Sequence, residues 1–388
     1  MKWEKVEFGE LYLLPSKNGL NRPSRVRGSG YKMINMGELF AFDRIKDIPM
    51  ELVPMNDREI ETSNILEEDL LFARQSIVAS GAGKCSIVLE VPEITTFESH
   101  IIRVRLNTEK ASPLYYYYYF KSPFANMKSL VQQGVQAGIR GSELKNLIVS
   151  YPPLPTQRRI ASILSAYDDL IENNLKRIKL LEEKAFARYK QIVREEKMEK
   201  HILSDFGDII TGKTPSTTIA DYFGDNVPFI KTPDMHNQIF IEHTDQMLSE
   251  LGAKSQEKKF LPPLSLCVSC IGTAGVVGIT SKPSQTNQQI NSIVFYQPKN
   301  VYFFYALMSQ MKEQLDALGS NGSTFTNVNK NKFENMEVFV PNQKVLSEYA
   351  QEFESPFNLI LTLQKQNTKL REARDILLPK LMSGQIEV

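Results

Sequence analysis

The sequence predicts an α+β protein in which two repeated α/β domains are separated by two long antiparallel helices that form a coiled-coil spacer. Three observations predict this class: a length of 388 residues, an internal repeat, and two long amphipathic segments. A chain of this length exceeds one typical domain, and each half could bury its own core. The predicted boundaries are 1–155 for the first domain, 156–199 for the central helix, 200–342 for the second domain and 343–388 for the C-terminal helix.

The second half of the chain repeats the first with a shift of about 190 residues, which indicates a duplicated domain. Short apolar runs bounded by glycine turns or proline predict strands in both halves. The matching runs are 8–11 with 206–209, 31–35 with 228–232, 66–74 with 261–269, 114–120 with 301–307, and 144–149 with 333–338. A catalytic loop in one half alone would be unexpected in such a chain.

Apolar residues recur at three- and four-residue steps after the proline that closes each half, which predicts two amphipathic helices. Each runs for about 35 residues, or about 50 Å at 1.5 Å per residue. The residues expected to pair the helices are Ile163, Tyr167, Leu170, Ile178 and Leu181 in the first, and Phe353, Leu363, Leu370 and Leu377 in the second. The polar residues on these faces, Asn174 and either Gln366 or Asn367, are expected to fix the register or to line a solvated gap. Packing of each helix on its own domain is the alternative.

The composition is that of an ordinary globular protein, with 42% hydrophobic and 23% charged residues. No apolar run reaches the length of a membrane-spanning helix, and the first residues lack a secretory signal pattern. Three cysteines provide no disulfide framework. We therefore expect a cytoplasmic protein without membrane association.

The net charge of +1 does not indicate a lone cationic nucleic-acid binder. Residues 1–150 carry 19 basic and 18 acidic side chains, and residues 201–340 carry 10 and 13. A surface that binds phosphate would have to be built by local clustering, as in Arg22, Arg25, Arg27 and Lys32, or be shared with basic partners.

Several segments resemble the specificity subunits of type I restriction-modification systems. The central run 151–164 (Tyr-Pro-Pro-Leu-Pro-Thr-Gln-Arg-Arg-Ile-Ala-Ser-Ile-Leu), the run 168–174, the run 377–384 and the Thr-Gly-Lys-Thr-Pro-Ser motif at 211–216 carry this resemblance. It covers nearly the whole chain and is most specific in the helical segments. The first domain departs from it, with Leu14-Pro15-Ser16 where the second has the fuller threonine-glycine motif.

The resemblance implies a non-catalytic subunit whose two target-recognition domains read the two halves of a bipartite site in double-stranded DNA. Base edges would be read in the major groove, where each base pair has a distinct pattern of donors and acceptors. The helices would set the unread gap and dock two methyltransferase subunits. Restriction subunits complete the complex, and S-adenosylmethionine, ATP and Mg²⁺ are expected on the partners, with no cofactor in this chain. A specificity subunit of a fused or type II-like modification system is the alternative within this class.

Polar and basic residues near predicted strand ends and turns are the candidate DNA-binding residues. Besides the four basic residues of the Arg22 cluster, they are Arg74, Lys84 and Arg140 in the first domain and Lys213, Lys231, Thr273, Gln288 and Thr324 in the second. No catalytic and no metal-binding residue is predicted.

Four motifs suggest other interpretations. Residues 207–214 match a Walker A loop and would indicate an NTPase, but Ile209, Ile210 and Pro215 are poorly suited to a loop that exposes amides to phosphate. Asp234 with the Glu-Lys-Lys run at 257–259 resembles a metal-dependent nuclease signature. Cys267 and Cys270 lie three apart, so in a strand their side chains diverge, and buried structural cysteines are favoured over zinc ligands. The tyrosines at 115–119 are expected to form a helix with a buried face rather than to stack on bases.

Overall fold

The computed structural model describes residues 3–76, 81–132, 137–319 and 326–388. Its mixed helix and sheet content confirms the predicted α+β class. The chain divides into two compact units: unit 1 comprises Met1–Asp169 with Arg371–Val388, and unit 2 comprises Leu170–Leu370. Each unit therefore contains one α/β domain and a part of both long helices, whereas the predicted boundaries treat the helices as separate segments. Within the described residues, no helix is long and apolar enough to cross a bilayer.

Among the residues that the structure describes, the α/β domain of unit 1 contains four short α-helices and several small sheets beside one larger sheet. Its strands are β1 (Glu4–Glu7), β2 (Tyr12–Asn18), β3 (Tyr31–Ile34), β4 (Arg44–Ile45), β5 (Glu51–Val53), β6 (Leu70–Ala73), β7 (Gln75–Ser76), β8 (Cys85–Val88), β9 (Thr95–Phe97), β10 (Ile101–Leu106), β11 (Ala137–Gly138) and β12 (Ile148–Tyr151). Its helices are α1 (Met36–Ala41), α2 (Asp57–Ser63), α3 (Pro113–Lys121) and α4 (Gly141–Lys145).

Unit 2 contains a second α/β domain with the same kinds of element. Its strands are β13 (Glu199–Ile202), β14 (Gly207–Thr211), β15 (Phe223–Gly224), β16 (Val227–Ile230), β17 (Phe240–Ile241), β18 (Met247–Leu248), β19 (Leu266–Ser269), β20 (Ile271–Gly272), β21 (Val277–Thr280), β22 (Gln285–Thr286), β23 (Ile290–Phe295), β24 (Thr326–Asn327) and β25 (Glu337–Val340). Its helices are α6 (Glu250–Lys254), α7 (Val301–Met308), α8 (Lys312–Gly319) and α9 (Lys330–Glu334). The two long helices, parts of which belong to each unit, are α5 (Leu154–Glu195) and α10 (Gln343–Met382).

The central five-stranded sheets of the two units have the same topology, which confirms the internal repeat. The order is β2-β10-β6-β8-β4 in unit 1 and β14-β23-β19-β21-β17 in unit 2, with only the last pair of each sheet parallel. Strands β10 and β23 share the same burial pattern, in which only the fifth of six residues is half-buried. Because Ile101 pairs with Ala73 and Ile290 with Ser269, these two isoleucines occupy equivalent positions.

Helix α3 contains the tyrosines at 115–119, and the prediction of one helix is confirmed. All five are at most 2% exposed, so they fill the core of unit 1 and do not offer rings to bases. Tyr118 donates a hydrogen bond of 2.6 Å to the carboxylate of Asp168 on α5. Arg374 on α10 forms an ion pair with the same carboxylate.

The buried face of α5 differs from the predicted one near its beginning. Leu170 is 52% exposed, so its prediction as a helix-pairing residue is wrong; Ile171 is 6% exposed instead. The reason is that Asp168, whose charge is neutralised by Arg374, occupies the buried position that the sequence pattern assigned to Tyr167. Tyr167 and Ile163 are half-buried.

The remaining helix-pairing residues lie on or beside the buried faces. Phe353 and Leu363 are buried, and the half-buried ones are Ile178, Leu181, Leu370 and Leu377. Within unit 2, Asn174 pairs with Asn367 and Tyr349 donates to the carbonyl oxygen of Ala185, so the helices run antiparallel there. The helices thus pair with each other in unit 2 and also pack on the domains, which was the alternative. Leu164 belongs to the core of unit 1 and Phe357 to the core of unit 2.

Candidate nucleic-acid interface

In unit 2, the ends of several strands meet at one edge of the central sheet. Thr211 at the end of β14 pairs with Asn291, Ser269 at the end of β19 pairs with Ile290, and Val277 at the start of β21 pairs with Val268. The loops that leave β14 and β19 and those that enter β21 and β23 therefore lie at the same edge. We call this set of loops the loop edge of unit 2.

The loop edge brings together four of the five residues predicted for the second domain. Lys213, Thr273 and Gln288 are exposed, and Lys231 is half-buried. The backbone amide of Lys213 donates to the carbonyl oxygen of Thr286 (2.9 Å), which places it beside the turn that carries Gln288. The fifth residue, Thr324, lies outside the described residues.

Lys231 directly follows β16, and the end of this strand lies at the loop edge. The amide of Asn287 donates to the carbonyl oxygen of Ile230 (3.0 Å), so the residue that follows Ile230 lies next to the turn 287–289. The ammonium group of Lys231 lies 5.9 Å from the ring centroid of Phe229. Lys231 and Lys213 form no ion pair among the described residues and can therefore meet an anion.

The turn 287–289 is held by side-chain amides. Asn287 is 8% exposed; its Oδ1 accepts from the backbone amide of Gln289 (3.1 Å), and its Nδ2 donates to Oε1 of Gln289 (3.1 Å). The hydroxyl of Thr214 donates to Oε1 of Gln288 (2.6 Å). The loop after β14 and the turn before β23 are thus coupled by polar contacts at the surface.

Gly212 explains why the Thr-Gly-Lys-Thr motif contains glycine. A Cβ atom at this position would lie 2.1 Å from the carbonyl oxygen of Asn287, so only glycine permits this close approach. Residues Gly207–Thr211 form strand β14, and their register is fixed by pairing with β23. The Walker A interpretation is therefore wrong, because these residues form a strand instead of a phosphate-binding loop.

The equivalent edge of unit 1, its loop edge, lies where β2 and β6 end and β10 begins. Arg74 is half-buried there; its backbone amide donates to the carbonyl oxygen of His100 (2.7 Å). The amide of Ile139 donates to the carbonyl oxygen of Arg74 (2.9 Å), which brings the exposed Arg140 to the same place. Lys84 precedes β8, but its ammonium is bound to the Phe40 carbonyl oxygen (2.7 Å) and to Asp43 (3.0 Å).

The predicted Arg22 cluster does not form a free cationic patch. Ion pairs join Arg22 to Glu59, Arg27 to Glu51, and Lys32 to both Asp47 and Glu93. The hydrogen bonds with these two carboxylates raise the pKa of Lys32. Arg25 is exposed and forms no ion pair within the part of the chain that the structure describes. The spacing of basic residues did not reveal the acidic partners, which come from elements 15 to 61 residues further along the chain.

Sequence reasoning missed several polar residues of the loop edges. They are Lys17, Asn18 and His100 in unit 1, and Thr214 and Gln289 in unit 2. Burial lowers the pKa of Lys17, and the neighbouring Arg103 and Arg58 lower it further. A sequence signal existed for His100 and Gln289, because the repeat aligns the residue just before β10 with the residue just before β23.

The remaining motifs have structural explanations. Both carboxylate oxygens of Asp234 accept backbone amides, from Lys231 (2.8 Å) and Asp245 (2.9 Å), so this residue caps a turn. Cys267 lies in β19 and Cys270 directly follows this strand, and the two belong to different hydrophobic clusters, so their side chains diverge as predicted. Burial raises the pKa of Cys267 to about 12 and that of Cys270 to about 11. No group of three or more potential metal ligands occurs among the described residues.

Comparison with known proteins agrees with this architecture. The family model of the type I restriction modification DNA specificity domain matches residues 2–183 and 195–369. The HindI type I restriction enzyme specificity subunit of Haemophilus influenzae is 45% identical over 190 residues, which cover 48% of this chain and 41% of that protein. The chain thus matches less than half the length of this relative. The MjaIX specificity subunit of Methanocaldococcus jannaschii is 26% identical over 302 residues, covering 71% of this chain and 69% of that protein.

A solved structure shows the same fold. The crystal structure of the type I restriction-modification system S subunit from M. genitalium aligns with a TM-score of 0.63 and 15% identity, covering 98% of this chain and 96% of that one. The two matches of the family model together span most of the chain and correspond to its two repeated halves. The chain therefore belongs to the family of type I restriction-modification DNA specificity subunits.

Proposed function

We propose that this chain reads a bipartite site in double-stranded DNA, with one half-site contacted by the loop edge of each unit. The observation that carries this proposal is that two sheets of identical topology present different side chains at equivalent positions. Ser99 and His100 precede β10, whereas Gln288 and Gln289 precede β23. Two sheets of the same topology that carry different hydrogen-bonding side chains are suited to read two different base sequences.

The charge distribution supports a complex in which this chain and its partner proteins share the contacts to DNA phosphates. Lys213, Lys231 and Arg140 are loop-edge cations that we propose contact phosphate. With a net charge of +1, the chain has almost no excess of basic over acidic side chains, so we propose that partner subunits supply much of the phosphate contact. These partners are two methyltransferase subunits together with restriction subunits.

The chemistry is proposed to reside in those partners. S-adenosylmethionine would serve methyl transfer to a flipped base, and ATP and Mg²⁺ would serve translocation and cleavage, all on partner subunits. This chain is proposed to contribute recognition and assembly without a catalytic residue. The antiparallel helices α5 and α10 are proposed to set the length of the unread gap and to dock the methyltransferases.

Methylation sequencing tests this function directly. Cells that express the partner subunits are compared with and without this gene, and a bipartite methylated motif is expected only when the gene is present. A motif that persists without the gene, or methylation that lacks a bipartite motif, would contradict the proposal. Complexes that carry Lys213→Ala are expected to bind all duplexes more weakly, whereas Gln288→Ala should relax one position of the motif.

A further inference from the structure

We propose that Gln289 is a specificity-determining residue that reads a base edge rich in hydrogen-bond acceptors, guanine in particular, and that Asn287 is the positioning residue that fixes its orientation. The inference rests on the proposed function and deepens it. It names a chemical preference for one position in the half-site of unit 2.

A backbone group determines how the Asn287 side chain is oriented. The amide N–H of Gln289 can only donate, so the atom of Asn287 that lies 3.1 Å away must be the oxygen, Oδ1. The other atom of that side chain is therefore the nitrogen Nδ2, which can only donate.

The orientation of Gln289 follows from that of Asn287. Because Nδ2 of Asn287 donates, its neighbour in the Gln289 side chain at 3.1 Å must be the acceptor Oε1. The amino group Nε2 is then the end of the side chain left for a ligand, with no partner among the described residues. The turn itself is held at both ends, since Asn287 N donates to Ile230 O (3.0 Å) and Cys270 N donates to Gln289 O (2.8 Å).

The side chain of Gln289 thus presents two N–H donors at the loop edge. Guanine shows two acceptors in the major groove, N7 and O6, and matches two donors. A freely rotating glutamine pairs with adenine through one donor and one acceptor, but here the oxygen is directed inward to Asn287. Cytosine offers an amino donor in the major groove and would be rejected.

Substitution of Gln289 tests whether it reads a base. The partner-containing complex with Gln289→Ala is expected to methylate a motif relaxed at one position of one half-site, with discrimination there reduced roughly 10- to 100-fold. The matched control is Gln297→Ala, an exposed glutamine beyond the opposite end of β23, which should leave the motif unchanged. An unchanged motif with Gln289→Ala overturns the inference and leaves the proposed function standing, since that function fails only when the unsubstituted chain directs no bipartite motif.

Substitution of Asn287 tests the orientation. In Asn287→Asp the carboxylate accepts from both N–H groups of Gln289, so Nε2 turns inward and Oε1 turns outward. The same motif position is then expected to change from guanine to a base with an amino donor, cytosine or adenine. If this variant does not fold, Asn287→Ala replaces it, and it should relax that position by releasing the glutamine amide. Retention of guanine at full discrimination in a folded Asn287 variant would refute the positioning role.

Discussion

The buried asparagine pair between the long helices gives a quantitative prediction. Asn174 is 6% exposed and Asn367 is 2% exposed, and Nδ2 of the first donates to Oδ1 of the second at 2.9 Å. Replacing Asn367 by leucine leaves the buried Asn174 amide without its partner, and replacing Asn174 leaves Asn367 only its 3.5 Å contact with the carbonyl oxygen of Ile171. Each loss costs about 1–3 kcal/mol of unfolding free energy. Replacing both removes the polar groups together and is expected to be neutral or stabilising.

A double-mutant cycle on the full chain measures this coupling. Asn174→Leu, Asn367→Leu and the double variant are compared by urea denaturation followed by far-ultraviolet circular dichroism. We expect a coupling free energy of about 2 kcal/mol or more, since the second substitution offsets the loss caused by the first. The control pairs Asn174→Leu with Gln366→Leu, because the Gln366 side chain is exposed. Additive effects in the asparagine cycle would show that the pair does not stabilise the helices as a unit.

The same double variant has a functional consequence. A single buried polar pair specifies the register of paired helices at a cost in stability. Without it, α10 can slip along α5 by about one turn, or about 5.4 Å, which corresponds to one or two base pairs of B-DNA. We expect additional gap lengths in the methylated motif of the Asn174→Leu/Asn367→Leu complex. A single, unchanged gap would show that apolar packing alone determines the register.

Three further predictions follow from burial and helix geometry. Ile171→Asp should unfold part of unit 2 because it buries an unpaired charge. The adjacent Leu170→Asp should leave the free energy of unfolding, measured by urea denaturation, within about 0.5 kcal/mol of the parent; equal effects would contradict the observed helix face. Folding raises the pKa of Cys267 and Cys270, so fewer than about 1 in 100 of these thiols are ionised at pH 8. Alkylation of both thiols, measured by mass spectrometry, should therefore require urea, and rapid labelling of the native chain would show that the thiols are accessible. Four residues inserted in both long helices, after residues 169 and 370, should lengthen the methylated gap by about two base pairs at 1.5 Å per residue, while an unchanged gap at full activity would refute the proposed spacing role.

Local pattern was sufficient to predict the fold class. The three- and four-residue steps of apolar side chains predicted both long helices, and the aligned apolar runs predicted the repeated sheets, because periodicity and turn residues are properties of neighbouring positions. The divergence of Cys267 and Cys270 was also predicted from strand geometry, although β19 ends at Ser269, one residue before Cys270. Lys213 and Gln288, which lie at the loop edge, were among the polar and basic residues selected near predicted strand ends and turns.

Tertiary contacts decided the features that depend on distant residues. Asp168 lies on the buried face of α5 only because Tyr118 and Arg374, from other elements, satisfy its charge, and a single-helix pattern gives no sign of them. The acidic partners of Arg22 and Arg27 could not be predicted either, because they also lie in other elements of the chain. The sequence by itself thus determined which segments become helices and strands, since that depends on local spacing. The folded chain decided which polar side chains remain free to bind, because ion pairs and the strand ends that meet at a loop edge join residues far apart in sequence.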